Sequence, residues 1–256
     1  MRLRAFALAA LLAGTASGVA PSYSADGIVN VGNGTPGPFA PNSILSIYGS
    51  GLALATQALA AVDIQGGNLP TEFQGTRVYV DGYPAPLFYV SAAQVNFVVP
   101  SNQPTGDMKI RVVTDSNLGP EVTVTIANAA PALFVMPTGY AIATHADNSL
   151  ITPDSPAHAD EIIVVYCTGL GRTSPNPASG AIPQSAAQIA ALADLKVSVG
   201  GAVLSPGLIK YAGLTPGSAG LYQINLALPD NPGQDPEIRV AIADQWTPPG
   251  LKLACR

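Results

Sequence analysis

The strongest constraint in this chain is that it repeats itself. Ile44-Leu45-Ser46-Ile47-Tyr48-Gly49-Ser50-Gly51-Leu52 returns as Ile162-Ile163-Val164-Val165-Tyr166-Cys167-Thr168-Gly169-Leu170. Val78-Tyr79-Val80-Asp81-Gly82 returns as Val197-Ser198-Val199-Gly200-Gly201. Gln94-Val95-Asn96 with Pro100 returns as Gln223-Ile224-Asn225 with Pro229, and Lys109-Ile110-Arg111-Val112 as Glu237-Ile238-Arg239-Val240. Four matches in one order, at an offset of about 118 to 129 residues, mean two copies of one domain of about 100 residues.

Each copy reads as all-β. The 256 residues include 26 Gly and 24 Pro, which long helices would not tolerate but strand-ending turns require. Strands are expected at about 43–48, 76–80, 87–90, 94–99, 108–114 and 121–126, with hairpin turns at Asp81-Gly82 and Gly200-Gly201. Short strands at this spacing favour an antiparallel sandwich. Two Ala-rich stretches, 52–64 and 185–193, each follow the first strand of a copy and are expected as short helical loop insertions. The fold class is thus two tandem immunoglobulin-like β-sandwiches, 25–128 and 160–256. The connector between them, 129–159, is expected to hold a short hairpin around Asp147-Asn148, and its apolar content means that it packs.

The N-terminus has two arginines, an apolar run over 5–13 and small residues through Ser24, the pattern of a secretory signal peptide spanning 1–24. Cleavage fits after Ala16-Ser17-Gly18 or after Ser22-Tyr23-Ser24. The apolar run is shorter than the roughly 20 residues that span a bilayer, and no later apolar stretch is long enough. Localisation is therefore expected to be secreted, extracellular or at the cell surface, with the periplasm as the other compartment. Without the leader, nine Lys and Arg face sixteen Asp and Glu, a net charge of −7. The basic residues are scattered singly from Arg77 to Arg256, which disfavours nucleic acid as a partner.

Three stretches carry a resemblance. They are Phe39-Ala40-Pro41-Asn42-Ser43-Ile44 running to Gly51-Leu52; Ala85-Pro86-Leu87-Phe88-Tyr89-Val90-Ser91 with Gln94-Val95-Asn96-Phe97; and Tyr166 to Gly171 with Tyr211-Ala212-Gly213-Leu214 and Gly220-Leu221-Tyr222-Gln223-Ile224-Asn225. Together, over about 28–245, they resemble the Solibacter-type uncharacterised C-terminal domain of secreted acidobacterial proteins. Individual copies resemble the IPT/TIG immunoglobulin-like fold, in which a strand ends in a Gly-x-Gly turn. The resemblance implies a location and a fold, and no chemistry. Cys167 stands where the family more often has a small residue.

Candidate chemistry is sparse. Cys167 and Cys255 are the only cysteines, and an exported chain can join them in a disulfide; the alternative is a buried free Cys167 with a frayed C-terminus. His145 and His158 lack zinc-ligand spacing and read as solvated connector residues. Asp230, Asp235 and Glu237 fall in one loop, a weak calcium candidate that Pro, Gly and Asn explain equally well as turn chemistry. No Gly-x-Ser-x-Gly elbow occurs. Among the aromatics, Phe88 and Tyr89 are expected on opposite faces of one strand, and Tyr211 and Trp246 are the candidate ligand contacts. No cofactor and no catalytic residue is expected.

The chain therefore reads as a secreted, non-catalytic binding, adhesion or structural module, its contact surface formed by loops 49–75 and 168–194 and by segment 211–220. The alternative is a carbohydrate-binding or carbohydrate-active extracellular protein. The expected partner is a surface protein or a glycan.

Overall fold

The computed structural model describes residues 19–115 and 117–256. Most of the expected signal peptide, residues 1–18, lies outside the described residues. The first copy supplies β1 (Ile28–Asn30), β2 (Ile44–Tyr48), β3 (Gln57–Ala58), β4 (Thr76–Val80), β5 (Tyr83–Pro84), β6 (Leu87–Val90), β7 (Gln94–Val98), β8 (Gly106–Thr114), β9 (Asn117–Leu118) and β10 (Val122–Ile126). They form two antiparallel sheets, β1-β2-β7-β6-β3 and β10-β8-β4-β5, with β9 added to β8. Alternation assigns the faces: on β4, Thr76, Val78 and Val80 point inward while Arg77 and Tyr79 point outward.

The second copy follows the same plan. Its strands are β11 (Ala132–Leu133), β12 (Ala143–His145), β13 (Ile162–Thr168), β14 (Thr173–Ser174), β15 (Ala187–Ile189), β16 (Leu195–Val199), β17 (Ala202–Val203), β18 (Ile209–Leu214), β19 (Tyr222–Ala227), β20 (Ile238–Ile242) and β21 (Gln245–Trp246). One sheet runs β11-β13-β19-β18-β15-β14 with β12 beside β13, and the other runs β17-β16-β20-β21. The repeat holds to the register. Tyr48 lies opposite Gln94 and Tyr166 opposite Gln223, while Val78 lies opposite Val112 and Val197 opposite Val240.

Each sandwich has its own core, built around Leu45, Val78, Phe97 and Ile110 in the first and Val165, Val197, Ile224 and Val240 in the second. The connector belongs to the second core: β11 and β12 both pair with β13, and Leu133, Ala143, Ile151 and Ala157 are buried in it. The turn after β4 has Asp81 at φ 48° and Gly82 at φ 85°, and that after β16 has Gly200 at 59° and Gly201 at 83°, as two-residue hairpins demand.

The helical insertions are single 3-10 turns, Ala61–Asp63 and Leu192–Asp194, beside the short strands β3 and β15. Stretches this short cannot offset the cost of nucleating an α-helix. Their amides instead bond across to neighbouring chain, Leu59 N–H to Phe88 O (2.8 Å) and Ala190 N–H to Arg172 O (2.8 Å). Phe88 and Tyr89 do not split between core and surface. A register shift in β6 leaves both half-buried, with Leu87 and Val90 in the core.

The chain around Pro21 is part of the first sandwich. Ser22 and Ser50 exchange two backbone hydrogen bonds of 2.9 Å, and Pro21 is buried. The Tyr23 hydroxyl donates to Pro120 O (2.6 Å) and accepts from Val112 N–H (2.7 Å). The connector plays the same part in the second copy, where Ala130 N–H bonds Gly169 O (2.8 Å). A Cβ at Gly49 would collide with Ser22 O, and one at Gly169 with Ala130 O, which is why the strand ends carry glycine.

The sandwiches meet across a broad joint. Ile44 N–H donates to the buried Thr168 hydroxyl (3.1 Å), which donates to Gly220 O (2.9 Å). Arg172 donates to Asn102 O (3.2 Å) and Gln103 O (3.1 Å), and Asn176 to Ser101 O (3.1 Å). Ile44, Leu69, Val98 and Ala219 form a small apolar cluster. Parts of loops 49–75 and 168–194, expected as contact surface, join this seam, where Leu69 N–H bonds Gly180 O (2.9 Å) and Ile182 N–H bonds Gly67 O (2.8 Å), while most residues of both loops stay exposed. Within the second sandwich Gly217 of segment 211–220 bonds Pro183 O (2.7 Å), and Gly220 lies against Ile44 of the first.

The expected Cys167–Cys255 bridge is absent; both thiols are free and buried. Cys167 lies opposite Leu133 and Tyr222. Cys255 pairs with Ala157. The C-terminus is not frayed either: Leu253, Ala254 and Cys255 are buried.

Candidate functional site

The outer face of the sheet β10-β8-β4-β5 carries a recess of about 350 Å³, lined by Tyr79, Asp81, Lys109, Arg111, Val113, Leu118 and Glu121 among others. Strand register assembles it. Tyr79 on β4 lies directly opposite Arg111 on β8, so both side chains share the outer face, and Lys109 joins them two residues away. Leu118 on β9 lies opposite Val113 and is 63% exposed.

Glu121 ties the two cations together, its carboxylate 3.2 Å from Lys109 Nζ and 3.1 Å from Arg111 Nη2. The Asp81 carboxylate is turned to its own turn and its neighbours, accepting from Lys109 N–H (2.9 Å) and Gln103 Nε2 (2.5 Å). Arg111 Nε is buried without a hydrogen-bond partner. Behind the recess, Tyr23 holds Val112 and Pro120, the neighbours of Arg111 and Glu121. Burial raises the Tyr23 phenol above its usual range.

The same place in the second sandwich is closed. Arg239 and Ser198 are paired there as Arg111 and Tyr79 are in the first. Trp246 lies opposite Ala241 as Leu118 lies opposite Val113. The Trp246 ring covers the Arg239 guanidinium, 5.3 Å from centroid to Cζ. Arg239 Nε and Nη2 both donate to Thr247 O, at 3.0 and 2.9 Å. The first sandwich replaces this self-contained arrangement with a leucine, an open recess and an arginine with an orphan donor.

The residues singled out from the sequence mostly serve the fold. The Tyr211 hydroxyl donates to Leu214 O (2.8 Å) and accepts from Ala187 N–H (3.1 Å); burial raises its phenol, and it is a brace rather than a contact. Trp246 is half-buried over Arg239 and borders a shallow groove with Asn30, Pro36 and Pro131. The three loop carboxylates do not converge. Asp235 accepts from Tyr140 (3.2 Å) and Cys255 N–H (3.3 Å), Glu237 from Gly250 N–H, and Asp230 is exposed. Asp235 and Glu237 fasten the C-terminal segment, and among the described residues no three His, Cys, Asp or Glu are placed to hold a metal ion.

His145 is held between the Glu161 carboxylate at Nδ1 and Ser155 O at Nε2 (3.2 Å), while His158 is exposed. The bond to Glu161 raises the His145 pKa against the opposing effect of burial. Burial pushes the Cys167 thiol far above its usual range.

Tyr79, Lys109, Arg111 and Glu121 were not singled out from the sequence. Their signal is the alternation in 76–80 and 109–112, where the polar positions that mark the repeat also define an outward face.

Residues 33–127 match the IPT/TIG domain family. No curated protein matches the chain in sequence. Among solved structures it is similar to the Bacteroides ovatus mixed-linkage glucan utilization locus protein SGBP-B in complex with a mixed-linkage heptasaccharide. That match has 14% identity over 92% of this chain and 45% of that one, with a TM-score of 0.33. It is also similar to the surface glycan-binding protein PbSGBP-B of Prevotella bryantii, with 15% identity, 87% and 40% covered, and a TM-score of 0.25. The plexin A4 extracellular region matches at 11% identity, with 96% and 19% covered and a TM-score of 0.31. The chain spans less than half the length of each.

Proposed function

We propose that the protein is a non-catalytic binding module acting outside the cytoplasm, and that it engages its partner through the outer face of the first sandwich. The observation that carries this reading is the open recess over Tyr79 and Arg111, set against its closed counterpart over Arg239. A rigid sheet presents these side chains, which keeps the ordering cost of binding low. The non-catalytic part is supported by the commitments of the reactive groups: Cys167 is buried in the core, and His145 is tied between Glu161 and Ser155. The extracytoplasmic part is supported by the leader pattern at 1–24 and by the resemblance to the Solibacter-type domain of secreted acidobacterial proteins. No helix among the described residues is long and apolar enough to cross a membrane.

The test is an array of glycans and cell-surface polymers probed with the purified chain and with Tyr79→Ala. Binding by the parent and its loss in Tyr79→Ala, with melting temperature unchanged, is the expected result. Binding that ignores the substitution would move the contact surface elsewhere on the molecule.

A further inference from the structure

We propose that the recess on the first sandwich recognises a carboxylate-bearing sugar, its ring lying against Tyr79 and Leu118 and its carboxylate held by Arg111 with Lys109. The inference rests on the binding-module reading above and names the class of its ligand.

The second sandwich shows what a filled site looks like. There the chain itself supplies both an aromatic ring over the guanidinium and an oxygen that accepts from Nε and Nη2 together. The first sandwich keeps the arginine and omits both. Leu118 stands in the position of Trp246, and Arg111 gives Glu121 only Nη2 while Nε stays unpaired. An orphaned buried donor is costly, and guanidinium groups bind carboxylates best through two nitrogens at once. A ligand that brings a ring and an oxyanion supplies both missing parts once the Arg111 side chain turns Nε out to meet it.

The recess is formally neutral, with Lys109 and Arg111 against Asp81 and Glu121, but its charges are not paired one to one: both cations lean on Glu121, while Asp81 turns its oxygens to the neutral donors Lys109 N–H and Gln103 Nε2. The lining divides into an apolar side, Tyr79, Val113 and Leu118, and a charged side where Lys109 and Arg111 stand with Glu121 and Asp81; the first suits the C–H face of a uronic acid ring, and the two cations suit its C5 carboxylate. An acidic peptide fits less well. The recess lies over the inner strands β4 and β8, not at a sheet edge, so a peptide could not add to the hydrogen-bond ladder there. The volume of about 350 Å³ is at the small end of ligand pockets and suits a short stretch of sugar chain.

The experiment is isothermal titration of the whole chain with galacturonate oligosaccharides, their carboxyl-reduced counterparts and polyglutamate. The expected result is binding of the galacturonate form alone, weakening as salt is raised. Arg111→Gln should lower its affinity about ten- to a hundredfold and Lys109→Gln less, with unchanged melting temperatures. Equal binding of the carboxyl-reduced form, lost in Tyr79→Ala but indifferent to Arg111→Gln, would overturn the carboxylate assignment and leave the binding face standing. Equal binding of polyglutamate would overturn the sugar assignment. Affinity that is indifferent to Tyr79→Ala, Arg111→Gln and Lys109→Gln alike would remove the binding face as well.

Discussion

At the scale of single residues, the contrast between Leu118 and Trp246 makes a direct prediction. Leu118→Trp should place an indole over Arg111 as Trp246 sits over Arg239, closing the recess. Ligand binding should fall while thermal stability holds or rises slightly, which titration and a melting curve measure together. His145 gives a second prediction. Both its ring nitrogens face acceptors, so the imidazolium satisfies Glu161 and Ser155 O at once, and the neutral ring satisfies only one. Its folded pKa is therefore raised above about 6.5, and the stability it adds is complete below that value. That contribution is lost as pH rises through the folded pKa. Denaturation midpoints measured across this window should drop with rising pH in the parent, and the drop should be smaller in His145→Gln. The sequence could not show this pairing, because Glu161 and His145 meet only through the register of β12 on β13.

At the scale of elements, the repeat and the strands were legible because alternation and turn residues act locally. The expected strand at 76–80 is β4, and that at 94–99 is β7 less its last residue. What local pattern could not show is where a short segment finds its hydrogen bonds. The Ala-rich stretches became turns and strand fragments because neighbouring carbonyls were within reach, and the connector joined a sheet because β13 had an open edge. The recess was missed for a related reason: Tyr79 and Arg111 become neighbours only through the pairing of β4 with β8. The segment beside Pro21 carries its own prediction. Cleavage after Ser24 would discard Tyr23 and its bonds to Val112 and Pro120, whereas cleavage after Gly18 keeps them. N-terminal sequencing of the protein recovered from a secreting bacterial host should therefore find Val19 first. Tyr23→Phe should cost about 0.5–1.5 kcal/mol in a urea titration, since it removes the hydroxyl that Val112 N–H and Pro120 O share.

At the scale of the whole molecule, the joint decides behaviour. Thr168 bridges Ile44 of one sandwich to Gly220 of the other from a fully buried position. Thr168→Val keeps the shape and removes the bridge, with an expected loss of about 2–4 kcal/mol. Calorimetry should show one transition for the parent, and separate transitions in the variant would show the sandwiches uncoupled. The thiols make the fold indifferent to reductant: with Cys167 and Cys255 free and buried, a reductant should leave the melting temperature unchanged. Arg172, Asn176 and the pairing of 67–69 with 180–182 spread the contact widely enough to leave no hinge between the two bodies. Pull exerted by a ligand seated in the first sandwich is then borne by the joint instead of being taken up as slack, and the chain behaves as a stiff strut rather than a tether.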